Sequence, residues 1–209
     1  MEHFFPSCNF RARFPETTKA VISYMKEQGV VTENCCRICK DHPDEGDTIL
    51  TICTTCRLIL AENRQDCNVE TVYDHIRRDH EFSYPDLSGR HFILQECGKA
   101  DDAFRNSVHR LLDEMKVDYE ISVHDPFCGR FMMNEIPERN MTAAPKAMKA
   151  LKEKQHICDK QEQDRIIMET AESMAGKEIL VYCNSCYSSL AGAGANVIHL
   201  AQLLFGTRD

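Results

Sequence analysis

Twelve cysteines stand in 209 residues, and they are clustered rather than scattered. Two pairs read Cys-x-x-Cys, Cys53–Cys56 and Cys183–Cys186, and Cys35 and Cys36 are adjacent. Such clusters make poor frameworks for several independent disulfides and good nests for a metal or a redox centre. Soft thiolates suit iron–sulfur clusters and zinc far better than magnesium or calcium. The first half of the chain reads Cys8, then Cys35–Cys36, then Cys53 and Cys56. Five thiolates exceed the tetrahedral preference of one zinc. Adjacent side chains in an extended segment point apart, so Cys35 and Cys36 reach two irons more easily than they chelate one ion. The second half offers Cys97, Cys128, Cys183 and Cys186, with Phe127 where a paired cysteine would stand. That set suits a second cluster, a structural zinc, or an interface without metal. Cys39, three residues after Cys36, is a rival ligand or a spectator, and Cys67 and Cys158 read as unliganded thiols.

The elements that must position these thiols repeat. ILTICTTC (Ile49 to Cys56) answers ILVYCNSC (Ile179 to Cys186), and Asn68–Val69 answers Asn196–Val197. Each half opens with a short apolar stretch ending in cysteine, at Cys8 and at Cys97. The turn-rich YPDLSG segment, Tyr84 to Gly89, sets a boundary. The halves are therefore 1–86 and 87–209, the second carrying a helical insertion over 140–176. The spacing predicts helices over 15–28 and 101–115, and strands over 30–32, 48–52, 91–95, 119–123 and 178–182. Alternating strands and helices give an α/β fold: two related halves, each a small parallel sheet flanked by helices. Ligand sites in such sheets lie beyond the carboxyl ends of the strands, which is where Cys8, Cys53, Cys97 and Cys183 fall. The insertion, with lysines from 146 to 154 and an acidic helix over 161–175, reads as a solvated helical face or as a docking surface for a partner.

Read as a pattern, the cysteines resemble the cysteine-rich CCG domain found in the disulfide-cleaving subunit of heterodisulfide reductase and its relatives. Those relatives include iron–sulfur subunits of glycolate and lactate oxidation systems. The family motif is a single Cys, a Cys-Cys pair usually followed by Gly, then Cys-x-x-Cys, typically present twice per chain. Here the first pair is followed by Arg37, its spacing to Cys-x-x-Cys is short, and the second half has Phe127–Cys128 before Gly129. The resemblance implies a noncubane [4Fe–4S] cluster on Cys8, Cys35, Cys36, Cys53 and Cys56. It also implies a cluster or zinc on Cys97, Cys128, Cys183 and Cys186. The function it implies is an iron–sulfur oxidoreductase subunit that passes electrons from a partner iron–sulfur or flavin protein to a disulfide or other acceptor. The competing reading is a non-catalytic assembly module stapled by zinc or a cluster. A thioredoxin-like exchanger built on one Cys-x-x-Cys leaves the other cysteines unexplained.

Disulfide reduction consumes protons, and His124, just before Phe127–Cys128, is the expected donor, since histidine titrates near neutral pH. His3 and His91 read as packing or surface residues, and Phe131, Met132 and Met133 as packing. A net charge of −8 argues against nucleic acid as the main partner. No Gly-rich dinucleotide fingerprint and no ferredoxin-type cysteine run is present, so electrons must arrive from another protein. No apolar run approaches the roughly 18 residues that cross a bilayer. MEHFFPSCNF lacks the basic start and apolar core of a signal peptide, so a cytoplasmic protein is expected.

Overall fold

Short apolar runs pair into two parallel sheets of the same topology. The computed structural model describes residues 1–37, 43–124 and 129–209. In the first half, β1 (Glu2–Phe5) leads through α1 (Cys8–Arg13) and α2 (Pro15–Glu27) to β2 (Val31–Thr32). Then come β3 (Thr48–Thr51), α3 (Thr54–Asn63), β4 (Asn68–Thr71) and α4 (Val72–Arg78). The second half runs β5 (His91–Leu94), α5 (Asp102–Glu114), β6 (Asp118–Ile121), α6 (Glu138–Ala143), α7 (Pro145–Lys152) and α8 (Lys160–Ser173). It closes with β7 (Glu178–Val181), α9 (Asn184–Gly192), β8 (Val197–His199) and α10 (Leu200–Phe205). The strand orders are β2-β1-β3-β4 and β6-β5-β7-β8, every pair parallel. The α/β fold of two related halves is therefore observed.

This order places a switch point between β1 and β3, and another between β5 and β7. Successive connections leave in opposite directions there and open a crevice beyond the strand ends. Cys8 and Cys53 sit at the first crevice, Cys97 and Cys183 at the second. Pro15 opens α2 at its first turn, where its missing N–H costs nothing, and Gly29, with φ +75°, ends it. The segment 79–90 has no regular structure, yet Leu87 is buried and Phe82 packs on Tyr24, Tyr84 and Phe205. One hydrophobic core runs through both halves: Phe4, Leu50 and Tyr73 belong to the same cluster as Leu94, Phe104 and Leu180.

The insertion is not a solvated face throughout. Met148 and Leu151 of α7 are buried with Ala144 against Ile59 of α3, in the other half. The Glu62 carboxylate accepts the Lys146 and Ala147 backbone N–H groups at 3.0 and 2.7 Å, capping α7. The Asn63 amide donates to the Ala143 carbonyl at 2.6 Å. Helix α8 buries Ile167 and Ala171 and packs on α9. Among the described residues no helix is long and apolar enough to cross a membrane.

Candidate functional site

The two Cys-x-x-Cys pairs begin α3 and α9, because a buried strand delivers each first cysteine to the N-cap and the second lands one turn into the helix. Cys53 and Cys183 are extended N-caps, with φ −118° and −131°. From this shared start the halves diverge.

In the second half Cys97, Cys183 and Cys186 are buried, and their sulfur atoms all lie within 4.8 Å of one another. A polar shell holds the strand ends that carry them. The Tyr182 hydroxyl accepts the Cys97 backbone N–H at 3.1 Å and itself donates to the buried Glu96 carboxylate. Glu96 also meets His109 Nε2 at 2.6 Å, with Arg105 at 3.8 Å. Burial alone raises a carboxyl, but the hydrogen bonds from His109 and Tyr182 and the Arg105 charge more than offset it, and Glu96 stays below its ordinary range. His109 is raised, chiefly by its bond to Glu96. Gly129 explains a further part of the geometry. At φ +48° it lies so close to α9 that a Cβ there would be 2.8 Å from the Ser185 carbonyl oxygen. Cys128, Phe127 and Cys39 lie outside the described residues.

In the first half all five predicted thiols line one open cleft of about 140 Å³. Cys8 is exposed and Cys35, Cys36 and Cys53 are half-buried, while Cys56 is buried. The adjacent pair does point apart: Cys35 meets Cys8, and Cys36 Sγ lies 3.4 Å from Cys56 Sγ. These sulfurs do not converge in threes as the second set does. They are also unequal. Cys53 is drawn down to about 6, first by a hydrogen bond from Cys56, then by the Lys99 charge and the Ser7 hydroxyl, against burial. Cys36 is lowered by its hydrogen bond with Cys56. Cys56, hydrogen-bonded with both Cys36 and Cys53 and buried, is pushed well up. Cys8 is raised, mainly by burial and then by Cys35. Ser7, just before Cys8, is buried and holds φ +65°, a strained conformation for a non-glycine residue.

Residues of both halves line this cleft, since Lys99, Cys183 and Asn140 join the first-half thiols. Tyr73 links the two sulfur sets. It is fully buried, and its hydroxyl has no hydrogen-bond partner among the described residues. Burial raises it, and charges on Cys183 and Cys53 raise it further. No protein-family model matches the chain, and no curated protein matches it.

His124 does not line the cleft: its Nε2 lies 2.9 Å from Ser173 Oγ. His3 is held by Glu33 and Asp47 at 2.8 and 3.1 Å, and His91 by Asp118 at 3.0 Å. Cys67 donates to the Asp44 carbonyl, away from the cleft, and Cys158 stands apart from both sets. Lys99, Tyr73, Glu96 and Tyr182 are site residues that cysteine spacing alone does not single out. For all but Tyr73, the available signal is a place next to or within two residues of a strand-end cysteine.

Proposed function

We propose that this chain is an iron–sulfur oxidoreductase subunit, similar to the CCG domains of heterodisulfide reductase, that works through the open first-half cleft. The observation that carries the reading is the gathering of Cys8, Cys35, Cys36, Cys53 and Cys56 around one solvent-reachable cavity at a switch point. A centre that only staples a fold is closed, whereas one that does chemistry keeps an open side. The spread of the five sulfurs, in two divergent groups, suits a polynuclear centre better than a single ion. A bound [4Fe–4S] cluster would supply one-electron chemistry, its potential set by charge, exposure and hydrogen bonds to sulfur. The chain's own residues prepare the site. Cys56 is hydrogen-bonded with Cys36 and Cys53, Lys99 favours thiolate at Cys53, and Ser7 fixes the approach of Cys8. Electrons would come from a partner iron–sulfur or flavin protein and leave to a disulfide or other acceptor.

A specific observation favours a different role for the second half. Four thiolates around one zinc sit about 3.8 Å apart, given zinc–sulfur bonds of about 2.3 Å. Sulfurs within 4.8 Å of one another match that better than the wider span of a cubane cluster. We therefore assign Cys97, Cys183 and Cys186 to a structural metal, with Cys128 as the fourth ligand. In the alternative reading both sets are staples and the chain is an assembly module.

The deciding measurement is iron, acid-labile sulfide and zinc per chain, on protein purified without oxygen. About four irons with matching sulfide, plus one zinc, are expected. Zinc without sulfide overturns the redox reading and leaves the assembly module.

A further inference from the structure

The chain is acidic, with a net charge of −8, but its cleft is not. Among the described residues Arg37, Lys99 and Arg139 line it, and no carboxylate does. Lys99 is only 5% exposed, with Nζ 4.2 Å from the centre of the Phe131 ring and 3.5 Å from Ser185 Oγ. Arg37 donates to the neutral Asn140 amide oxygen at 2.6 Å, which leaves its charge uncancelled by that bond. Arg139 is exposed. Helices α3 and α9 both begin in the cleft, and neither N-terminus has a side-chain cap. The positive ends of their dipoles lie at the same space, with the Cys56 N–H already bonded to the Cys53 sulfur.

Two side-chain donors at matching positions of the repeat complete the set. Thr54 follows Cys53 and Asn184 follows Cys183. Both line the cleft, and neither the Thr54 hydroxyl nor the Asn184 amide nitrogen has a hydrogen-bond partner among the described residues. Thr54 is 2% exposed, so its unpaired hydroxyl is a real cost unless something enters to accept it. A shallower cavity shares Asn9, Asn184 and Ser185 with the cleft and adds Arg13 and Arg130, again without a carboxylate in its described lining, although Asp164 pairs with Arg130.

We propose that the cleft binds a small molecule by an oxyanion group, a carboxylate or a phosphate. Arg37 and Arg139 supply the charge, and the unpaired donors of Thr54 and Asn184, at the N-terminal ends of α3 and α9, supply the hydrogen bonds. The site stands on these donors without any metal. That the oxyanion belongs to the substrate of the sulfur centre rests on the function proposed above.

The test is calorimetric titration of the anaerobically purified protein with succinate, with inorganic phosphate and with neutral succinamide, metal content being measured on the same samples. Succinate or phosphate binds, and which one binds tells the carboxylate source from the phosphate source. Succinamide does not bind. Arg139→Gln and Thr54→Val each weaken the anion by about tenfold, the scale of a lost charge-assisted bond, with metal per chain unchanged. Binding falls further with added salt. No anion binding, equal binding of succinamide, or metal lost together with the anion in Arg139→Gln overturns the proposal. Anion binding in protein without iron or sulfide leaves the oxyanion site standing and removes the redox reading, so the two fail separately.

Discussion

The same strand order and the same Cys-x-x-Cys at the same strand end produce two unlike sulfur sites. In the second half three thiols are buried within 4.8 Å of one another, behind Tyr182, Glu96 and His109. In the first half five thiols spread around an open cavity, with unequal proton affinities and a lysine from the other half beside them. The backbone repeat sets where sulfur gathers, and the surroundings set what it is for. Dense packing and the bonded trio of Tyr182, Glu96 and His109 close one copy. An exposed Cys8 beside a strained Ser7, with Lys99 and Arg139 drawn from the second half, marks the other.

The sharpest way to break this contrast is to remove one thiol from each site. Cys186→Ser takes away one of the three buried thiols proposed to hold a metal and is expected to cost on the order of 5 kcal/mol or more, because structural metal binding is folding free energy. Cys8→Ser, at the exposed rim, should cost less than about 1 kcal/mol while still emptying the open site. Thermal melts with metal analysis compare the two, and equal losses would end the distinction. Next in size is Met148→Ala, fully buried where the insertion grips α3, at about 3 kcal/mol for the cavity. In that variant, alkylation of Cys36 should quicken and that of Cys186 should not. His199 gives a comparable effect through pH. Burial pushes it down to about 4 from 6.5, so the folded chain holds it neutral. As pH falls from 6.5 toward 4 the unfolded chain binds a proton that the folded chain refuses. Its contribution is therefore complete above pH 6.5 and lost on acidification, about 3 kcal/mol in all. In urea melts, the stability gap between the parent and His199→Asn should narrow from pH 7 to pH 4.5, and a constant gap would refute this. Gly129→Ala should cost about 2 kcal/mol, from positive φ and the approach to Ser185. It should release metal from the closed site and spare the open one. The smallest effect is Glu62→Ala, about 1 kcal/mol for the lost cap on α7, read as faster hydrogen exchange there alone.

Strands β3 and β7 are legible because an Ile-Leu run leading straight into a cysteine reads most simply as a buried strand. Strands β4 and β8 are not, since NVET and VIH carry neither length nor alternation, and only the repeat hints that they correspond. The charge of the insertion suggests solvent, yet Ala144, Met148 and Leu151 fall at i, i+4 and i+7, a buried stripe written among lysines. Of the five first-half thiols, Cys8 and Cys53 are readable from the strands they follow, while Cys35, Cys36 and Cys56 join them only through the pattern of the family resemblance. Lys99 is not, because nothing in a local window shows that a lysine will cross into the opposite half. Burial of Glu96 and Tyr182 depends likewise on partners about a dozen and more than eighty residues away.

Strand β6 is an outer strand of its sheet, and one side of its backbone has no neighbouring strand among the described residues. Asp118 and Glu120 are exposed on it, and Lys177 reaches Glu120 at 3.0 Å, while Ile121 and Val123 stand 50% and 90% exposed close by. Unpaired strand edges are templates for other chains, and charges along them are the usual defence. The two acidic residues are thus gatekeepers, and replacing them with apolar ones would turn this margin into a seam along which copies of the chain polymerise.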